Sequence, residues 1–228
     1  MLKKQNIINH KIRVAKNIFA FKDYKEGFIV ASVNATFLSE VIYRIDKNSL
    51  SNRFIFWPDG ILSVLITGNF YKVPGRELLE NVLNDCIKND ERVCFVGDPL
   101  PKNNDYLNKF KWINKEVSYG SADELSSEID FINERVVVLN IPSPKQEELA
   151  IKLLDRYPHS IIFCTGGALN MLIGLEDVTP KILYKYGLEW FWRLKTDSKR
   201  RLKRLFKIII SMPFSIINFK KNFYHEKL

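Results

Sequence analysis

The sequence of 228 residues is poor in the side chains that most often hold metals or form cross-links. It has three cysteines and three histidines, and these form no close-spaced set. A structural zinc site needs four clustered ligands, and a disulfide framework needs paired cysteines in an oxidising compartment. Cys94 and Cys164 lie inside apolar runs, so we expect buried, unreactive thiols there. The sequence therefore predicts no metal centre and no disulfide-stabilised fold.

Membrane-spanning and secretory segments are also missing from the sequence. No run approaches the roughly 18 to 20 apolar residues that a spanning helix needs. The first 21 residues are basic, but they lack the apolar core and small-residue cleavage site of a secretory signal. We therefore expect a cytoplasmic protein. Neither Gly-x-Gly-x-x-Gly nor a P-loop occurs, so no standard nucleotide fingerprint is present.

The positive charge is concentrated at one end of the chain. From Arg193 onward there are eleven Lys and Arg against two acidic residues, which accounts for the whole net charge of +9. The first 192 residues are balanced, with 24 residues of each sign. A neutral body argues against a nucleic-acid-binding protein. It indicates that the electrostatic attraction to a partner is localised in the tail.

Apolar runs alternate with helical patterns through the body of the chain. Short runs rich in β-branched and aromatic residues end in Gly, Pro, Asp or Asn, and we interpret them as strands at 27–33, 53–57, 92–96, 135–141 and 160–164. Helical spacing is present at 35–44, 75–87 and 146–157. Continuous apolar strands alternating with helices are typical of a parallel sheet covered on both faces. We predict an α/β fold with a Rossmann-like, mostly parallel sheet, in which ligands bind beyond the carboxyl ends of the strands.

Several short motifs, in this order, resemble one family of bacterial enzymes. They are Ser32-Val33-Asn34, Pro58-Asp59-Gly60, Val73-Pro74-Gly75-Arg76-Glu77-Leu78, Phe95-Val96-Gly97, Pro144-Lys145-Gln146-Glu147, Gly166-Gly167 and Gly187-Leu188-Glu189-Trp190 with Arg193-Leu194. Each is weak alone, but the ordered set, from about Gly27 to Arg204, is similar to the WecG/TagA/CpsF glycosyltransferases. These enzymes build bacterial surface polysaccharides.

The resemblance implies an inverting glycosyltransferase that needs neither a metal nor another cofactor. The donor would be a nucleotide sugar, UDP-linked, and the acceptor a polyprenyl-diphosphate-linked sugar. Asp59 matches the family's catalytic base. The residues expected to bind substrate are Ser32, Asn34, Lys72, Gln146, Arg193 and Arg200, and those expected near the nucleotide are Gly97, Gly166 and Gly167. The absence of Asp-x-Asp, which bridges a metal in many other glycosyltransferases, agrees with this chemistry.

Most of these residues also have another interpretation, which for Arg193 and Arg200 is contact with lipid headgroups alone. Pro-Asp-Gly is a common turn, and Ser and Asn commonly cap helices, which are alternatives for Asp59, Ser32 and Asn34. Lys72 could be a solvated surface lysine, and the glycines could simply form turns. The sequence leaves these alternatives open.

The tail combines a basic cluster with an apolar stretch, IIISMPFSIINF, that is too short to span a bilayer. This pattern is typical of an interfacial anchor on an anionic membrane. We therefore divide the chain into a glycosyltransferase domain, 1–192, and a membrane-associating appendage, 193–228, and expect the protein on the inner face of the plasma membrane. Packing of 208–219 against the core is the alternative. A homo-oligomer is also compatible with the sequence.

Four positions depart from the family pattern. Lys72 replaces an Arg, Asn170 an acidic residue, Val178 the Arg of an Arg-Ala-Pro motif, and Ser198 a proline of the tail. The loss of a charged residue at Asn170 and Val178 leaves the donor sugar open. The departures at Lys72, Asn170 and Val178 motivate a second hypothesis: a non-catalytic, membrane-associated scaffold of a polysaccharide assembly complex.

Overall fold

The computed structural model describes residues 12–15, 26–34, 36–60, 73–117, 120–130, 132–180, 182–183, 192, 210, 217 and 223–226. Within this part of the chain, eight strands form one sheet: β1 (Ile12–Ala15), β2 (Phe28–Val33), β3 (Phe54–Pro58), β4 (Val93–Gly97), β5 (Trp112–Glu116), β6 (Val136–Asn140), β7 (Ile161–Cys164) and β8 (Phe223–Glu226). Their spatial order is β5-β4-β6-β7-β2-β3-β1-β8. Every neighbouring pair is parallel.

Helices connect these strands on both faces of the sheet. They are α1 (Ile42–Arg44), α2 (Lys47–Asn52), α3 (Gly75–Lys88), α4 (Ala122–Glu128), α5 (Lys145–Arg156) and α6 (Ala168–Leu172), with a π-helical turn at Phe37–Val41 and a 3-10 turn at Leu107–Lys109. The Rossmann-like α/β fold predicted from the sequence is therefore confirmed.

The central strands form because their apolar side chains are covered on both sides. Strands β2, β3, β4, β6 and β7 are buried along their whole length. Alternate residues of each strand point to opposite faces. One face packs against the 37–50 segment, α4 and α5, and the other packs against α3, the 100–110 segment and α6.

The connections between strands define where a ligand binds in such folds, which is beyond the carboxyl ends of the strands. The described helices and turns between β2 and β3, β5 and β6, and β6 and β7 cover one face. Those between β3 and β4 and between β4 and β5 cover the other face, and these two steps go in the opposite direction along the strand order. This is the arrangement expected when all crossovers share one hand. The chain therefore leaves neighbouring strands toward opposite faces of the sheet. A crevice forms between these connections, beyond the carboxyl ends of the strands.

The sequence patterns missed several elements. Strand β5 (WINKE) ends in Asn, Lys and Glu and is half exposed at the sheet edge, so it lacks the continuous apolar run of a central strand. The helix predicted over 35–44 is a π-helical turn followed by one short α-helical turn. At the opposite edge of the sheet, β8 pairs with β1, and neither strand was predicted. The proposed domain boundary at residue 193 stays a prediction.

Candidate functional site

Strand register brings the ends of four central strands to one level. Val33 is opposite Pro58, Ala31 is opposite Cys164, and Leu139 is also opposite Cys164. Asn34, Asp59, Thr165 and Asn140 therefore lie at or just beyond the same edge. Neighbouring parallel strands are about 4.8 Å apart, so groups on β2, β3, β6 and β7 can reach one ligand.

The Ser32 and Asn34 side chains form a pair at the end of β2. The Asn34 Nδ2 amide donates to Ser32 Oγ at 2.6 Å. Asn34 Oδ1 accepts from the backbone N–H groups of Thr36 and Phe37 at 2.9 and 3.0 Å. The capping interpretation of Asn34 is therefore confirmed. The Ser32 hydroxyl accepts from Asn34, so its own O–H is available to a ligand; substrate binding by this pair stays a prediction.

Asp59 immediately follows β3 and is half buried. Its backbone N–H donates to the Val33 carbonyl at 3.4 Å, which keeps the residue beside the end of β2. Gly60 has a φ of +82°, a conformation that favours glycine and turns the chain away from the strand. Asp59 is thus both a turn residue and a carboxylate at the ligand edge. Its predicted role as base is compatible with this position.

Gln146 lies in the first turn of α5 and connects that helix to the glycine turn after β7. Gln146 Oε1 accepts from the backbone N–H of Gly166 at 3.0 Å. Gln146 Nε2 donates to Glu147 Oε1 at 3.0 Å. The side chain is buried, and one donor and one acceptor are already used. Substrate binding by Gln146 stays a prediction, and the observed contacts give it a second function in holding the turn.

Glu147 is a buried carboxyl group that the sequence motif alone did not identify as part of the site. It is 3% exposed, and Ser143 Oγ donates to its Oε2 at 2.8 Å. Burial raises the pKa of Glu147 to about 7, while the hydrogen bonds from Ser143 and Gln146 act in the opposite direction. In the sequence, Glu147 was only the last residue of the Pro144–Glu147 motif. Its burial depends on how α5 packs against the sheet.

The three candidate glycines differ in what the structure demands of them. A Cβ on Gly97 would lie 2.7 Å from the Asn140 carbonyl oxygen, so close packing between β4 and β6 already requires glycine there. Gly166 has a φ of +53°, where glycine is favoured. Gly167 precedes α6 as its N-cap. Nucleotide binding by these glycines stays a prediction, and their turn and packing functions are observed.

The same edge carries polar atoms that the sequence analysis did not single out. Asn140 Nδ2 donates to Asn170 Oδ1 at 2.9 Å, which pairs β6 with α6. In the described part of the chain, four buried side-chain polar atoms lack a hydrogen-bond partner, namely Trp57 Nε1, Asn114 Oδ1, Asn140 Oδ1 and Thr165 Oγ1. Trp57, Asn140 and Thr165 lie in one row across the ends of β3, β6 and β7. Buried polar groups are nearly always paired, so this row indicates a ligand-binding edge.

Lys72, Arg193 and Arg200 lie outside the described residues, and their predicted roles stay predictions. Within the described ranges, no group of three or more His, Cys, Asp or Glu is placed to hold a metal ion. No helix in those ranges is long and apolar enough to cross a membrane.

Comparison with known families gives one match that extends over nearly the whole chain. The model of the glycosyl transferase WecG/TagA/CpsF family matches residues 9–226. The match includes every element of the edge described above.

Proposed function

Since this chain belongs to the WecG/TagA/CpsF family and is therefore a glycosyltransferase of cell-surface polysaccharide synthesis, we propose that it transfers one sugar from a UDP-sugar to a polyprenyl-diphosphate-linked acceptor. A nucleotide-sugar donor and a lipid-linked acceptor are what the family in general implies. The observation that carries the proposal is the convergence of Asp59, the Ser32–Asn34 pair and the Gln146–Gly166 contact at one edge of the sheet.

The proposed reaction inverts the configuration at the anomeric carbon. The Asp59 carboxylate takes the proton from the acceptor hydroxyl, and the hydroxyl oxygen forms a bond to the anomeric carbon. The bond from that carbon to the diphosphate oxygen breaks, and the UDP leaves with the electron pair. Proton removal by a positioned carboxylate contributes about 10² to 10⁴ in rate.

The departing diphosphate needs positive charge or hydrogen-bond donors. We assign part of this function to Lys72, Arg193 and Arg200, as the family motifs imply, and propose that the transfer needs no metal. The basic tail brings the protein to the anionic inner face of the plasma membrane, where the acceptor lies. Each basic residue near such a surface contributes about 1 kcal/mol.

The test is transfer from a panel of radiolabelled UDP-sugars to a polyprenyl-diphosphate-sugar acceptor in anionic vesicles, with and without EDTA. Transfer that persists in EDTA supports the proposal and identifies the sugar. If folded, vesicle-bound protein transfers from no UDP-sugar, the proposed donor is wrong. Transfer that EDTA abolishes would contradict metal independence alone.

A further inference from the structure

The indole N–H of Trp57 is a buried donor at the proposed active-site edge. Trp57 is 1% exposed, and among the residues that the structure describes its Nε1 has no hydrogen-bond partner. This atom can only donate, and a buried donor without an acceptor destabilises the folded state. The groups around the indole N–H therefore indicate what kind of acceptor it binds.

The start of α3 lies against the edge of the Trp57 ring that carries this N–H. A Cβ built on Gly75 would lie 3.8 Å from Trp57 Cζ2. Cζ2 and Nε1 are both bonded to the same ring carbon, so this contact lies next to the indole N–H. The backbone N–H of Val73 donates to the Pro58 carbonyl at 3.0 Å. This bond fixes the entry to α3 directly against the end of β3.

The first turn of α3 presents further donors. The N-cap residue is Pro74, which makes no side-chain capping hydrogen bond. Within the described ranges, the backbone N–H groups of Gly75, Arg76 and Glu77 have no partner, whereas that of Leu78 donates to the Pro74 carbonyl. With 14 residues, α3 is long enough for its dipole to favour an anion at this end.

Ser32 adds a hydroxyl on the same side. It is directly opposite Trp57 in the strand register, and both side chains point to the face that α3 covers. The Ser32 oxygen accepts from Asn34, which leaves its O–H as a donor. The neighbouring Arg76 contributes positive charge, and Glu77 is exposed on the surface.

We propose that Trp57 Nε1, the Ser32 hydroxyl and the first-turn amides of α3 bind a phosphate group of a diphosphate ester. The inference rests on the proposed function, because both proposed substrates carry a diphosphate. Trp57 precedes Asp59 by two residues, a separation of about 6.6 Å along a strand. A base-to-hydroxyl distance of about 2.7 Å plus a reacting distance of about 3–3.5 Å puts the anomeric carbon about 6 Å from the base. The phosphate site is therefore within reach of the reaction.

The substitution Trp57→Phe tests the site because it keeps an aromatic ring and removes the N–H. Calorimetric titration of the full chain with UDP, uridine and farnesyl diphosphate separates the sources of the phosphate. A hydrogen bond to a charged group contributes about 1.5–3 kcal/mol, so we expect affinity for one diphosphate to fall at least ten-fold while uridine binding is unchanged. Trp112→Phe, on the far edge strand β5, is the matched control.

The outcomes distinguish the site from the function. Weaker UDP binding assigns the site to the donor, and weaker farnesyl diphosphate binding assigns it to the acceptor. Unchanged affinity for both diphosphates in Trp57→Phe, with transfer by the wild type intact, overturns the phosphate site and leaves the proposed function standing. Wild-type protein that transfers no sugar and binds neither diphosphate overturns both.

A second measurement on the wild type covers the case in which Trp57→Phe does not fold. The chain has four tryptophans, so ¹⁵N-Trp labelling gives four indole N–H signals, which Phe variants of Trp112, Trp190 and Trp192 assign by elimination. We expect the diphosphate probe to shift the Trp57 signal most. An unshifted Trp57 signal at saturation overturns the site.

Discussion

The Gln146 side-chain oxygen accepts a hydrogen bond at 3.0 Å from the backbone N–H of Gly166, joining the first turn of α5 to the turn after β7. Its amide nitrogen is held by Glu147. The two contacts fix the orientation of the amide, because its oxygen and nitrogen have different partners. Gln146, a residue of the Pro-Lys-Gln-Glu motif, thus holds the backbone of the Gly166 turn at the proposed donor site.

The substitution Gln146→Ala should impair both stability and transfer. It leaves one oxygen of the buried Glu147 and the half-buried N–H of Gly166 without their partner, and an unsatisfied buried group costs about 1–3 kcal/mol. We expect a lower free energy of unfolding in urea and at least a ten-fold loss of kcat/KM. Glu148→Gln is the control, since Glu148 is the next residue but one and forms a surface ion pair with Arg44. Equal effects of the two substitutions would contradict the proposed contact.

The substitution Glu147→Gln should remove part of the pH dependence of stability. The folded-state pKa of Glu147 is raised by burial to about 7 from 4.5, so the folded state binds its proton more tightly than the unfolded state. Its contribution is complete below about pH 4.5 and is lost as the pH rises to about 7, a change of about 3 kcal/mol.

Urea unfolding of the wild type and of Glu147→Gln at pH 5 and pH 8 measures this change. We expect the wild type to lose more stability than the variant between the two values, because Gln does not titrate. Glu148→Gln should retain the wild-type dependence. The buried-carboxyl interpretation does not survive if the wild type and Glu147→Gln show the same dependence on pH.

The substitution Asp59→Asn should abolish most of the transfer and leave the fold intact. Asn keeps the shape of the side chain but cannot take the acceptor proton, so we expect kcat to fall about 10²- to 10⁴-fold with little change in thermal stability. Asp98→Asn is the matched control, because Asp98 follows β4 at the same edge and is exposed. Activity near the wild-type level in Asp59→Asn would rule out this residue as the base.

Replacing the basic cluster of the tail should release the protein from anionic vesicles. Substitution is preferable to deletion, because β8 near the end of the chain pairs with β1 and a deletion would remove an edge strand. The replacements are Lys199→Gln, Arg200→Gln, Arg201→Gln, Lys203→Gln and Arg204→Gln. At about 1 kcal/mol each, their loss should weaken vesicle binding at least 100-fold in a sedimentation assay.

Salt and lipid composition provide the control for this measurement. Wild-type binding should fall as ionic strength rises, because surface electrostatics are screened, and should be weak on neutral vesicles. Binding that is insensitive to salt and to the five substitutions would contradict the electrostatic anchor.

Much of the fold could be predicted from the sequence because the central strands are buried on both faces. The runs around Val30, Phe95, Val138 and Phe163 are continuously apolar, and each ends in turn-forming residues. Edge elements could not be predicted in this way. Strand β5 is half exposed, so its sequence carries no continuous apolar run, and β1 and β8 are only four residues each.

The candidate site was predicted in part. The sequence motifs identified Ser32, Asn34, Asp59 and Gln146, and the parallel register brings the first three to one edge, with Gln146 in the turn of α5 beside it. The capping bonds of Asn34 and the tight contact that requires glycine at position 97 were open alternatives, since the same residue types serve both purposes.

By itself, the sequence determined the alternation of buried strands and helices, the concentration of positive charge after residue 192 and the family of the enzyme, because composition, periodicity and ordered motifs are properties of the chain. Only the tertiary structure decided that Glu147 is buried, that Gln146 holds Gly166, and that Trp57 presents an unpaired donor to the start of α3. The contacts of Gln146 with Gly166 and of Trp57 with α3 join residues that are distant in sequence. The burial of Glu147 depends on how a helix packs on the sheet. No local pattern encodes such contacts.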